Sequence, residues 1–221
     1  MPPGKRQTRV WTVSAAPGDL AAGGADRSGG VSGNARLTSS TGALLLLLLA
    51  AEGATIPFIG PLLGAHVFIG MLLVPPVAVK MGSTGYKIVR YYTGSVPYRL
   101  AGPPPLLRRL LGPLVVAATI VVLATGIALV LARPGSAGTF LQLHKLSFIV
   151  WFALMTVHVL IHLRRAGRSV TAEWTARRPG VGGRAARGLV LVLACAVGLA
   201  LGVLSLRWAA PWAQWLMASP R

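Results

Sequence analysis

The chain has 221 residues, of which 54% are hydrophobic and only 12% charged, and its net charge is +18. Its mean hydropathy is +0.66. An ordinary soluble domain carries roughly 25% charged residues and could not hide this much apolar surface, so the composition points to an integral membrane protein. The four acids, Asp19, Asp26, Glu52 and Glu173, exclude paired-carboxylate hydrolysis, carboxylate-bridged metal clusters and acidic calcium loops. The single cysteine, Cys195, excludes an internal disulfide and any cysteine-based zinc or iron–sulfur site. A basic chain can be a nucleic-acid binder. Here Lys and Arg cluster between apolar stretches, as the positive-inside rule expects, and no nucleic acid is implied.

Residues 1–40 are rich in Gly, Ala, Ser and Pro and hold too few large apolar residues for a core. They read as a disordered cytoplasmic tail. No apolar core falls within the first thirty residues, so this is not a standard signal peptide. A mis-assigned start codon is an alternative.

Five apolar stretches follow: about Thr41 to Ile59, Leu62 to Val79, Leu110 to Leu131, Phe140 to Leu163, and Ala186 to Leu206. Each approaches the ~20 residues a helix needs to cross about 30 Å of hydrocarbon. The expectation is an all-α membrane protein: five transmembrane helices within residues 41–207, the first four forming a bundle. Residues 208–221 would be a short outer interfacial segment, with Trp208, Trp212 and Trp215 as its anchor. Of the 22 Lys and Arg, all but Arg133, Lys145, Arg207 and Arg221 fall on one side of this topology. That bias predicts a multi-pass protein of the cell membrane with a cytoplasmic N-terminus and an outer C-terminus. No repeat suggests transporter-type duplication.

All four histidines, His66, His144, His158 and His162, fall inside apolar stretches. Ionisable groups at that depth are expensive and mark function by default. The bland alternative is a neutral imidazole bonded to a neighbouring carbonyl. His66 and His144 each lie about one turn in from the outer surface, on different helices. Two imidazoles facing each other at one level is what a bis-histidine haem needs. His158 lies roughly 21 Å further along the helix of His144 and some 40° from the same line, and His162 lies on that line.

In this arrangement, helix four resembles the double-ligand helix of di-haem cytochrome b membrane subunits, such as those of formate dehydrogenase and nickel–iron hydrogenase. The matching residues are His66 on helix two and His144 and His158 on helix four, within about residues 41–163. The segments GSTGYKIVRYYTG, Pro103 to Pro105 and LHKLSFIVW are also similar to actinobacterial membrane proteins of a cytochrome b-like type. The resemblance implies haem b, electron transfer, quinol, and a redox partner subunit. The chain departs from that family in helix one, which has no histidine to partner His158. His162 cannot fill that role, because positions i and i+4 of one helix share a face. Three alternatives remain: one outer haem alone, a five-coordinate inner iron, or a ligand from a second subunit. His158 and His162 could also hold zinc or copper, although no third ligand is evident.

Other residues carry paired readings. Gly70, one turn below His66, would let a flat macrocycle approach the backbone, or would serve ordinary helix packing. Gly126 reads likewise. Lys145, beside His144, would pair with a haem propionate or snorkel to headgroups. Glu52, the one acid in an apolar stretch, is a candidate proton carrier at a quinol site, or a partner for Lys145 or Arg133. The segment Lys80 to Arg109 shows no nucleotide-binding fingerprint. It would dock a redox partner, reach inner propionates through Arg90 or Arg99, or bind anionic lipid. The rival to a cytochrome-like subunit is a cofactor-free scaffold or assembly protein. A small transporter is weaker, since one buried acid offers little for ion coupling.

Overall fold

The computed structural model describes residues 30–100, 106–175 and 183–218, with side chains over 30–99, 109–161 and 183–218. It is all-helical, with no strand among the described residues: α1 (Gly30–Thr55), α2 (Ile59–Tyr92), α3 (Val96–Leu100), α4 (Leu106–Leu131), α5 (Gly138–Thr175) and α6 (Arg184–Ala218). Short 3-10 turns, Ile56–Phe58 and Pro134–Ser136, join α1 to α2 and α4 to α5. Four helical runs are long and apolar enough to cross a membrane: Gly30–Tyr92, Arg109–Leu131, Gly138–Ile161 and Arg184–Ala218. Their outer faces are apolar; Leu47, Ile149 and Val192 are all more than half exposed.

The first run contains both of the first two apolar stretches. It doubles back at Ile56–Phe58, where Pro57 lacks an N–H and Phe58 leaves helical geometry (φ −121°, ψ 35°). Cross-helix bonds fix the antiparallel register. Asn34 Nδ2 donates to the Ser83 carbonyl (3.0 Å), and Thr38 Oγ1 donates to Ser83 Oγ (2.9 Å). Lys80 Nζ donates to the Thr38 carbonyl (2.6 Å). These bonds explain two departures from the sequence reading. α1 starts at Gly30, inside the segment read as tail, because Asn34 and Thr38 have partners on α2. Residues 1–29 lie outside the described residues, as do Pro103 to Pro105. α2 runs past Lys80 to Tyr92, through the segment read as a connection. A break comes only at Gly94, whose φ of +85° suits glycine.

α6 packs closely along α2. A Cβ on Gly198 would lie 2.5 Å from the Leu72 carbonyl oxygen, and one on Gly202 would lie 2.9 Å from that of Phe68. Small residues thus let the two backbones approach, as membrane helices do in the absence of a hydrophobic drive between them. Pro76 has no N–H to give the Leu72 carbonyl, which faces α6 instead.

α4 and α5 form a hairpin. Trp151 Nε1 donates to Thr119 Oγ1 (3.0 Å) midway along it. α5 packs along α4 and is held away from α2. α6 does not stop at Leu206: it continues through Pro211 to Ala218, so the expected interfacial segment is largely helix. Trp212 is buried there, and its Nε1 donates to the carbonyls of Leu129 (3.0 Å) and Ala132 (3.2 Å), finishing the end of α4.

Candidate functional site: a histidine pair between two helices

His66, from the start of α2, and His144, from the start of α5, meet across the gap between those helices. Their ring centroids are 6.4 Å apart and the planes are inclined by 78°. Each follows a short turn, Ile56–Phe58 before α2 and Pro134–Ser136 before α5.

Each ring is held at Nδ1. On His66, Glu52 Oε1 lies 3.1 Å and Thr55 Oγ1 2.9 Å from Nδ1. The Thr55 hydroxyl spends its single proton on the Glu52 carbonyl (2.6 Å), so toward His66 it accepts. The carboxylate oxygen also accepts. His66 therefore carries its proton on Nδ1, an assignment made from its partners.

The same logic governs His144. Thr125 Oγ1 lies 3.1 Å from Nδ1 and donates to the carbonyls of Val121 (2.8 Å) and Val122 (3.1 Å). It too accepts from the ring. Ser147 Oγ, 3.3 Å from Thr125 Oγ1, donates to the His144 carbonyl (3.0 Å). In this assignment each Nε2 presents a lone pair.

Two glycines shape the surroundings. A Cβ on Gly126 would lie 3.1 Å from His144 Cε1, so this glycine lets the ring lie against α4. A Cβ on Gly70 would lie 3.3 Å from Glu52 Oε1. The space beside Gly70 is thus taken by the carboxylate, because that face of α2 looks toward α1. Glu52 Oε2 is buried and has no hydrogen-bond partner among the described residues. Glu52 pairs with His66, rather than with Lys145 or Arg133. Lys145 is exposed on α5.

His158 is half-buried further along α5, and the side chain of His162 lies outside the described residues. Among the described residues no three His, Cys, Asp or Glu side chains gather as a metal-binding group. The residues that sequence reasoning missed are Thr55 and Thr125, the hydroxyls that set the ring tautomers. Their only signal was a threonine near each histidine in the fold, and for Thr125 that nearness spans two helices. No protein-family profile, curated protein or solved structure matches the chain.

Proposed function

We propose that this chain is a b-type cytochrome-like membrane subunit that carries electrons through a haem bound between His66 and His144. The observation that carries the reading is the close approach of the His66 and His144 imidazoles, each with its hydrogen-bond partners at Nδ1. Metal–imidazole bonds are about 2 Å long, so one iron between two imidazoles separates the ring centroids by roughly 6 Å. The observed separation of 6.4 Å fits that span. Gly126 supports the fit by letting the His144 ring sit back against α4.

Haem, when bound, supplies one-electron redox chemistry. The protein's own residues bind and orient. His66 and His144 ligate, Glu52 and Thr55 aim His66, and Thr125 aims His144. Such outer partners fix the tautomer and raise ligand basicity. In this reading Gly30–Tyr92 makes two crossings and the bundle has five, with the N-terminus cytoplasmic and the C-terminus outside. Quinol and a redox partner subunit are the proposed exchange partners.

The test is a dithionite-reduced minus oxidised visible spectrum of the purified protein, with a pyridine haemochrome to count haem per chain. One haem, lost in His66→Ala and in His144→Ala, supports the reading. A second reading, a cofactor-free scaffold, draws on the same hydrogen bonds, since each imidazole already has a protein partner. Colourless protein from haem-replete cells would establish that alternative.

A further inference from the structure

The ring planes of His66 and His144 cross at 78°, close to a right angle. The side chain does not set that angle by itself. The outer torsion of histidine is broad, so a neighbour must choose its value. A ring N–H lies in the plane of its ring and prefers a nearly straight bond. An acceptor held in place therefore holds the plane.

Each ring is aimed from a helix other than its own. His66 belongs to α2, and its Nδ1 lies 2.9 Å from Thr55 Oγ1 and 3.1 Å from Glu52 Oε1, both at the end of α1. His144 belongs to α5, and its Nδ1 lies 3.1 Å from Thr125 Oγ1 on α4, with the Val122 carbonyl also bonding the ring. Neither hydroxyl is free to turn. Thr55 is tied to the Glu52 carbonyl (2.6 Å), and Thr125 to those of Val121 (2.8 Å) and Val122 (3.1 Å). Gly126 backs the second ring, since a Cβ there would lie 3.1 Å from Cε1. Two separate helices thus fix two planes, and the planes are crossed.

We propose that Thr55 and Thr125 are positioning residues that hold the two axial imidazole planes crossed when haem is bound. This inference rests on the haem site proposed above. Its consequence is electronic. An imidazole donates π density into the iron d orbital perpendicular to its plane. Parallel planes raise one orbital of a pair and split it. Crossed planes raise both alike and leave them nearly degenerate. The unpaired electron of low-spin ferric iron then keeps more orbital motion, and its magnetic resonance becomes strongly anisotropic. Hydrogen bonds to the axial ligands are among a protein's levers on haem iron, and here they act through ring angle.

The experiment is low-temperature electron paramagnetic resonance of the oxidised, haem-loaded full chain. Wild type should give a low-spin signal dominated by one large g value at low field. Thr125→Val keeps the shape of the side chain and removes the acceptor. Its low-field feature should shift toward the rhombic, three-valued pattern of parallel ligands. Thr125→Ser keeps the hydroxyl and should keep the wild-type signal. Ser147→Ala removes a hydroxyl that touches Thr125 (3.3 Å) and should also keep it. Thr55→Val should give a smaller shift, because Glu52 still holds His66, and it carries the test if Thr125→Val does not fold. A rhombic signal from wild type that loses its haem in His66→Ala and in His144→Ala would overturn the crossed planes and leave the haem site standing. A large-g signal unchanged in both valine variants would overturn the hydrogen bonds as its cause. Wild type without haem would overturn the proposed function, and this inference with it.

Discussion

Glu52 Oε1 lies 3.1 Å from His66 Nδ1, across the turn that joins α1 to α2. A carboxylate on the outer nitrogen of a ligating imidazole makes the ring a stronger electron donor. That donation favours ferric over ferrous iron and lowers the reduction potential. Glu52→Gln keeps a hydrogen-bonding oxygen and removes the charge. On the proposed haem site, the expected result is retained haem with a raised midpoint potential, by about 60 mV for each tenfold loss of ferric preference. Spectroelectrochemical titration of the variant against wild type reads it directly. An unchanged potential would mean that Glu52 is neutral beside His66.

Gly126 tests His144, the other proposed ligand. An added methyl would sit 3.1 Å from Cε1 of His144, tighter than ordinary contact. The ring would have to swing away from α4, and its bond to Thr125 would lengthen. Gly126→Ala should therefore weaken haem retention on the order of 10-fold, the lower end of what outer-partner loss costs at metal sites. Gly112→Ala, on the same helix with open space around it, is the control that should bind as wild type. Haem transfer to apomyoglobin gives the dissociation rate for both.

Much of this arrangement is legible in the sequence. The apolar stretches follow from length and hydropathy, and the common level of His66 and His144 follows from counting residues inward from a membrane surface. Thr55 and Thr125 were not legible. A threonine in an apolar helix ordinarily bonds its own backbone, and sequence does not tell which one also faces a ring on a neighbouring helix. The start of α1 was hidden for a related reason. GVSGNARLTSS has the composition of a tail, and only Ser83 and Lys80, some forty residues on, make its polar groups useful. Gly70 was read by its place on α2, whereas the residue that fills its space, Glu52, comes from α1.

Gly198 and Gly42 make a paired test of helix packing. Both are helical, and both would crowd a neighbour as alanine. On Gly198 the neighbour is the Leu72 backbone at 2.5 Å, which cannot move without moving α2. On Gly42 it is the tip of Lys80 at 2.9 Å, which can swing aside. Gly198→Ala should cost about 1–3 kcal/mol, the usual range for overpacking a closely fitted site. Gly42→Ala should cost well under half of that. Tm in detergent should fall by roughly 2–4 °C per kcal/mol for a chain of this size. Equal losses would show that α2 and α6 are not locked at Leu72.

Trp212 separates anchoring in the interface from closure of a helix end. Its Nε1 reaches the Leu129 and Ala132 carbonyls, at the end of α4 where intrahelical donors run out. Phenylalanine keeps an aromatic ring there and removes the donor. Trp212→Phe should lower stability by about 1–2 kcal/mol, chiefly through the Ala132 carbonyl, since that of Leu129 also accepts from the Ala132 N–H (3.2 Å). Trp208 stacks under the Arg207 guanidinium at 3.8 Å, a contact that phenylalanine also offers. Trp208→Phe should therefore leave Tm within about 1 °C of wild type, a cation–π difference at an exposed site being small. Leu129 lies one turn beyond Thr125, so loosening the end of α4 should also quicken amide exchange at Thr125. Matched losses in the two variants would instead make both tryptophans interfacial anchors.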